Sequence, residues 1–127
     1  MSDYAVKNLL EIDDVFEGEE IEARFSRKYL DSEELGVSLF RYAPNMAAVD
    51  GHHHKEQEEA YVVVGGSGRI RLDDEVVELK QFDVVRVAPQ VVRAFEAGPE
   101  GLEVIAVGGR KPEDGDGVRD PGRWPAE

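Results

Sequence analysis

With 127 residues the chain is sized for one domain, large enough to bury roughly two-thirds of its unfolded surface without disulfide or metal staples. Asp and Glu number 28 against 15 Lys and Arg, and the resulting net charge of -13 repels phosphate backbones and anionic membrane surfaces, so nucleic acid is not an expected partner. Cysteine is absent, which excludes disulfides, thiolate metal sites and a thiol nucleophile and is compatible with a reducing compartment.

The N-terminal MSDYAVKNLL has no basic flank ahead of an apolar core, and no run approaches ~18 apolar residues. Neither a signal peptide nor a membrane span is expected, and the expected location is cytoplasmic. Lys7 to Val15 fits either a short strand or a single helical turn. Glu20 to Tyr29 places Ile21, Ala23 and Phe25 at period two, the pattern of a half-buried strand. After a turn over Asp31 to Glu34, Leu35, Val37 and Leu39 resume the alternation through Tyr42. Pro44 stops that strand because it lacks a backbone donor, and Asn45 tolerates the turn.

From Gln57 the pattern becomes a near-continuous apolar run, AYVVV, ended by Gly65, Gly66 and Gly68, as for a strand buried on both faces. Arg69–Leu72 and Glu75–Lys80 alternate around Asp73-Asp74, a hairpin signal. Phe82–Ala88 and Val91–Glu96 are further strands separated by Pro89, and Gly98 to Gly101 is expected to turn into a last strand, Leu102–Val107. Short strands with turn signals between them, and no long amphipathic helix, predict an all-β sandwich or barrel. The expected organisation is one domain: an N-terminal arm over residues 1–34, a core over 35–107, and a tail over 108–127. Five glycines and three prolines in that tail predict an extended or partly disordered segment, with Trp124 docked on the body or on a neighbouring subunit.

Chemistry concentrates between Gly51 and Gly68. The three histidines of the chain are consecutive, and in an extended segment His52 and His54 share one face while His53 takes the other. Glu58 and Glu59 follow after a short connection. Two imidazoles and one carboxylate converging from one side, with positions left open, suit divalent iron and also manganese, nickel or zinc. The same string is compatible with a solvated polar loop before a strand.

His52-x-His54-x3-Glu58-x6-Gly65 resembles the first motif of the cupins, small double-stranded β-helix or jelly-roll barrels, and the Pro44-Asn45 turn stands where cupins commonly carry Pro-Gly. The resemblance covers roughly Leu35 to Val107. It implies metal-facing roles for His52, His54 and Glu58, leaves Glu59 on the opposite face, and implies a homodimer. It also implies a small-molecule ligand, an organic acid or carbonyl compound, under an oxygenase, decarboxylase or isomerase type of chemistry. The rival implication is a non-catalytic, metal-free binding or sensing module. The string HHHKEQEEAY is similar to the corresponding string of oxalate decarboxylases.

The second motif departs from the pattern. Asp83, Pro89 and Phe95 are in place, but Arg93 occupies the position of the fourth ligand, a histidine in cupins. Arginine is permanently charged and cannot coordinate a cation; aimed at a divalent ion ~5 Å away, it would be repelled by about 6 to 7 kcal/mol at an effective dielectric of 20. Arg93 is therefore expected to turn aside, to pair with the carboxylate of a bound acid, or to pair with Glu58 in place of the cation. Tyr61 and Phe95 are expected as core or pocket wall beside it. Arg24, Arg27, Lys28 and Arg41 are expected on solvated faces or as partners of the many carboxylates. GGSG at Gly65–Gly68 lacks the lysine and helix of a phosphate loop, and no serine stands at a triad spacing.

Overall fold

A computed structural model describes residues 3–17, 19–48, 50–110, 112 and 115–120. The described residues form eight strands and one 3-10 turn: β1 (Ile21–Phe25), β2 (Gly36–Tyr42), β3 (Gly51–His54), β4 (Glu59–Leu72), β5 (Glu75–Leu79), β6 (Val84–Val87), β7 (Arg93–Gly108) and β8 (Gly117–Asp120). All pairings are antiparallel. No helix among these residues is long and apolar enough to cross a membrane.

β4 and β7 pair along their whole length, and each belongs to both layers of a jelly roll. One layer runs β1-β2-β7-β4-β6, through the Leu102–Gly108 half of β7 and the Glu59–Val62 half of β4. The other runs β8-β3-β7-β4-β5, through the opposite halves. The all-β jelly-roll expectation is met.

The sequence predicts breaks at Gly65–Gly68 and Gly98–Gly101, but both strands continue through them. The pairing shifts register between Val63 and Gly65 and again between Gly66 and Gly68. Gly66 and Gly101 adopt positive φ (68° and 84°), and a Cβ on Gly66 would collide with the Gly101 carbonyl oxygen. These glycines bend a strand from one layer into the next, as bulges do, where their composition suggests a chain reversal.

The shift also inverts side-chain parity. Tyr61 and Val63 face the core before it, and Gly68 and Ile70 after it. Tyr61, Val63 and Ile70 form the apolar core together with Leu79, Val87, Phe95, Ala97, Leu102, Val104 and Ala106. AYVVV is thus half-buried, with Val64 on the surface.

Elsewhere, Lys7–Val15 resolves as a helical turn, Leu9–Glu11, whose Leu10 N–H donates to Asn8 Oδ1. β1 ends at Phe25, short of Tyr29, because Leu30 N–H donates to Ser26 O and closes a turn. The Asp73-Asp74 hairpin forms as expected, with Asp73 at φ 53°. From the expected tail, β8 pairs with β3 along Gly51–His54 and brings Asp116 and Asp120 to the histidines. Trp124 lies outside the described residues.

Candidate metal centre

β3 aligns the histidines as strand alternation requires. His52 lies opposite Arg93 of β7, and His54 N–H donates to the Pro89 carbonyl at 2.7 Å. The His52 and His54 rings meet edge-to-face with centroids 5.2 Å apart. His53 points to the other face, where its Nδ1 lies 2.6 Å from Asp120 Oδ2.

The carboxylate that joins the histidines is Glu59, and Glu58 points away. Glu59 Oε1 lies 3.1 Å from His54 Nε2 and 3.8 Å from His52 Nε2, and donor atoms of the three residues fall within 4.8 Å of one another. Glu58 is 61% exposed and pairs with Arg86 at 3.0 Å. Parity along β4 is the physical reason: Glu59 shares a face with the core residues Tyr61 and Val63, and Glu58 falls on the other. That periodicity is readable in EEAYVVV, and it outranks a spacing counted from the histidines.

Ligand atoms bound at about 2.0–2.2 Å lie about 3 Å apart on adjacent octahedral positions. The Glu59–His54 separation matches this and the Glu59–His52 separation is somewhat wider. The donor set is of the kind that holds a divalent cation, provided that the three donors, which lie within 4.8 Å of one another, draw closer.

Asp116, a residue to which sequence reasoning assigned no role, fixes His54. Its Oδ1 lies 2.9 Å from His54 Nδ1, and its Oδ2 accepts from the backbone N–H groups of Glu56 and Gln57 at 2.7 and 2.8 Å. Burial pushes the Asp116 pKa up, but those N–H donors and His54 outweigh it, and the pKa falls below the ordinary value. Burial likewise opposes ionisation of Glu59, yet hydrogen bonds from His52, His54 and Tyr61 hold its pKa far below the usual carboxylate range. The hydrogen bond to Glu59 raises the His54 pKa, against burial and with help from Asp116.

Arg93 is 0% exposed and directs its Nη donors to this chain's own acceptors. Its Nη1 donates to Glu59 Oε1 at 3.0 Å, and its Nη2 to the carbonyls of Ala88 and Pro89 at 2.7 and 3.3 Å. Of the three expected arrangements, pairing with an acid of this chain is the one adopted, and the acid is Glu59 in place of Glu58. Tyr61 is buried and donates its hydroxyl to the same Glu59 oxygen at 2.5 Å. Phe95 packs edge-to-face on Tyr61 within the core.

A cavity of about 290 Å³ opens above the histidines, lined by His52, His54, Glu59, Phe25, Phe40 and Arg27 among others. Arg93, Tyr61 and Phe95 are not part of that lining; Tyr61 and Phe95 take the core position, one of the two expected for them. Arg24 and Arg41 pair with Glu22 and Glu103 as anticipated, but Arg27 turns inward.

The family model of the cupin domain matches residues 38–108. Among solved structures the chain is similar to a cupin protein from Bacteroides fragilis, with 21% identity, a TM-score of 0.73 and 89% of each chain covered. It is also similar to the nucleoside dehydratase Pac13 of Streptomyces, with 14% identity and a TM-score of 0.69 over 83% of this chain and 82% of that one. A variant oxalate decarboxylase of Bacillus subtilis matches at 25% identity and a TM-score of 0.65, over 77% of this chain and 28% of that one. No curated protein matches significantly.

Proposed function

The chain belongs to the cupin family, and from that premise we propose that it holds one divalent cation between His52, His54 and Glu59 and binds or transforms a small organic acid or carbonyl compound beside it. His54 carries this reading. Its two ring nitrogens face two carboxylates, Asp116 at 2.9 Å and Glu59 at 3.1 Å. A neutral imidazole has one N–H, so one of these contacts needs either a second proton or a cation. Asp116 already accepts two backbone N–H groups, which makes it the fixed acceptor for Nδ1–H and turns the Nε2 lone pair toward Glu59 and His52.

A bound cation would supply Lewis acidity, or a site for dioxygen if it were iron. The chain's own residues supply the rest. Arg93 and Tyr61 donate to Glu59, Asp116 holds the His54 tautomer, and Phe25 and Phe40 form one wall of the cavity. His52, 44% exposed, is the donor nearest to incoming ligand. A homodimer belongs to the same reading, since β1 pairs with β2 alone among the described residues and leaves an edge that a second copy can cover; sedimentation would show a monomer if it does not.

A second reading is favoured by one observation, the Arg93–Glu59 pair, which already gives the carboxylate a counter-charge. Under it the cavity is a metal-free binding pocket. Elemental analysis of untagged protein purified without chelators separates the two. The first predicts close to one equivalent of metal, lost in His52→Ala and Glu59→Gln. Wild-type protein that neither contains metal nor takes up added manganese, iron, nickel or zinc would leave only the second.

A further inference from the structure

The cavity above the histidines has one permanent cation among its described lining residues, Arg27. Its guanidinium is held by neutral groups: Nη1 donates to the Glu34 carbonyl at 3.0 Å and Nη2 to the Gly109 carbonyl at 2.9 Å. No carboxylate among the described residues lies within ion-pair distance of it, whereas Arg24, Arg41, Arg69, Arg86, Arg93 and Arg110 each have one. A cation that turns into a cavity without an acid partner among the described residues retains donors for something else.

The placement of this side chain is built into the fold. A Cβ on Gly36 would press on Arg27 Nη2, so the bare backbone at the start of β2 makes the slot in which the guanidinium lies. The Gly109 carbonyl that anchors Arg27 also accepts from the Gln57 amide at 3.0 Å, which ties the arginine to the segment between β3 and β4. Phe25 and Phe40, edge-to-face at 5.5 Å, wall the same space. At about 290 Å³ the cavity is at the small end of the range for ligand sites.

We propose that Arg27 is the specificity-determining residue of this cavity, and that it reads a carboxylate on a small acid whose other end reaches His52, His54 and Glu59. The inference rests on the metal reading above for what meets the far end. Arg93 and Glu59 cancel one another's charge, so a divalent cation would leave the floor positive, with Arg27 a second positive point. A compact dianion, or a monoacid with a carbonyl or hydroxyl oxygen toward the floor, complements both.

Calorimetric titration of manganese-loaded protein with malonate, succinate and glutarate, and with their neutral diamides, tests this. The best-bound diacid should lose about 10- to 100-fold in affinity in Arg27→Gln, the size of one charge-assisted hydrogen bond, while its diamide, which offers Arg27 no carboxylate, should not distinguish wild type from variant. Gly36→Ala, which displaces the guanidinium and keeps its charge, should weaken the diacid in the same direction; it provides the answer if Arg27→Gln does not fold. Metal content should be unchanged in both variants, because Arg27 touches none of the three donors. Equal diacid affinity in wild type and variants, with metal bound, would overturn the role of Arg27 and leave the metal site standing. If wild type binds no metal, the same titrations on the metal-free protein still decide, with a loss on substitution supporting Arg27 and equality rejecting it.

Discussion

Two arginines border the same site and have opposite surroundings. At the floor, Arg93 is sealed from solvent, bonded to Glu59 and to the carbonyls of Ala88 and Pro89, and it closes the loop before β7 onto the histidine strand. At the mouth, Arg27 is half-buried, held among the described residues only by neutral carbonyls, and open to the cavity. A buried charge with a single ionic partner mainly supports structure, because removing either member strands the other. A partly exposed charge in a cavity without such a partner costs the fold little and is free to select a ligand. The position that the family pattern marks as functional thus acts as support, and the one that resembled a surface cation faces the ligand space.

The largest effect should come from the floor. Arg93→Ala leaves the Glu59 carboxylate without its cation and should cost about 3 kcal/mol, the lower end for a broken buried pair because His54 and Tyr61 still donate to it. Urea denaturation with a chelator present measures this, and added manganese should return much of the loss by replacing the missing positive charge. Arg27→Gln should cost less than half as much under the same conditions. Equal losses would remove the distinction between floor and mouth.

Next in size is the contrast between neighbouring acids. Glu59→Gln should lower metal affinity by at least about 100-fold, beyond the 10- to 100-fold typical of an outer partner, a range into which Asp116→Asn should fall. Glu58→Gln breaks only its exposed pair with Arg86 and should leave affinity within about two-fold. A competition titration with a fluorescent chelator ranks all three, and the reverse order for Glu58 and Glu59 would restore the spacing expected from the histidines.

What the sequence makes legible here is local. Period-two alternation identifies β1, β2 and the Asp73-Asp74 hairpin, and places His52 and His54 on one face, because each depends on neighbours along the chain. Gly66 and Gly101 mislead because a positive-φ glycine has the same composition in a bulge as in a turn; only its pairing with the other strand tells them apart. Glu59 was within reach, since Tyr61 and Val63 fix the parity of β4. Asp116 and the inward turn of Arg27 were not. The first meets His54 across 62 residues of chain and the second meets Gly109 across 82, and neither pairing leaves a periodic trace.

The smallest expected effect is on pH dependence, and it bears on the floor alone. In metal-free protein the hydrogen bond to Glu59, aided by Asp116, raises the His54 pKa above its ordinary 6.5. A raised value means stability that is fully present below 6.5 and lost as pH climbs through the folded-state value. Glu59 behaves oppositely. Its depressed pKa contributes above the ordinary 4.5 and is lost only as pH falls through its lower folded value. Thermal melts in chelator should therefore peak between these two ordinary values and decline toward alkaline pH. Manganese should flatten the alkaline side, because the cation takes the place of the proton between His54 and Glu59. Arg27→Gln should keep the shape of the wild-type profile, displaced at most by a constant amount, since its guanidinium contacts neither group. A flat alkaline limb without metal would mean that His54 shares no second proton with Glu59, and the case for a cation at that contact would lose its main support.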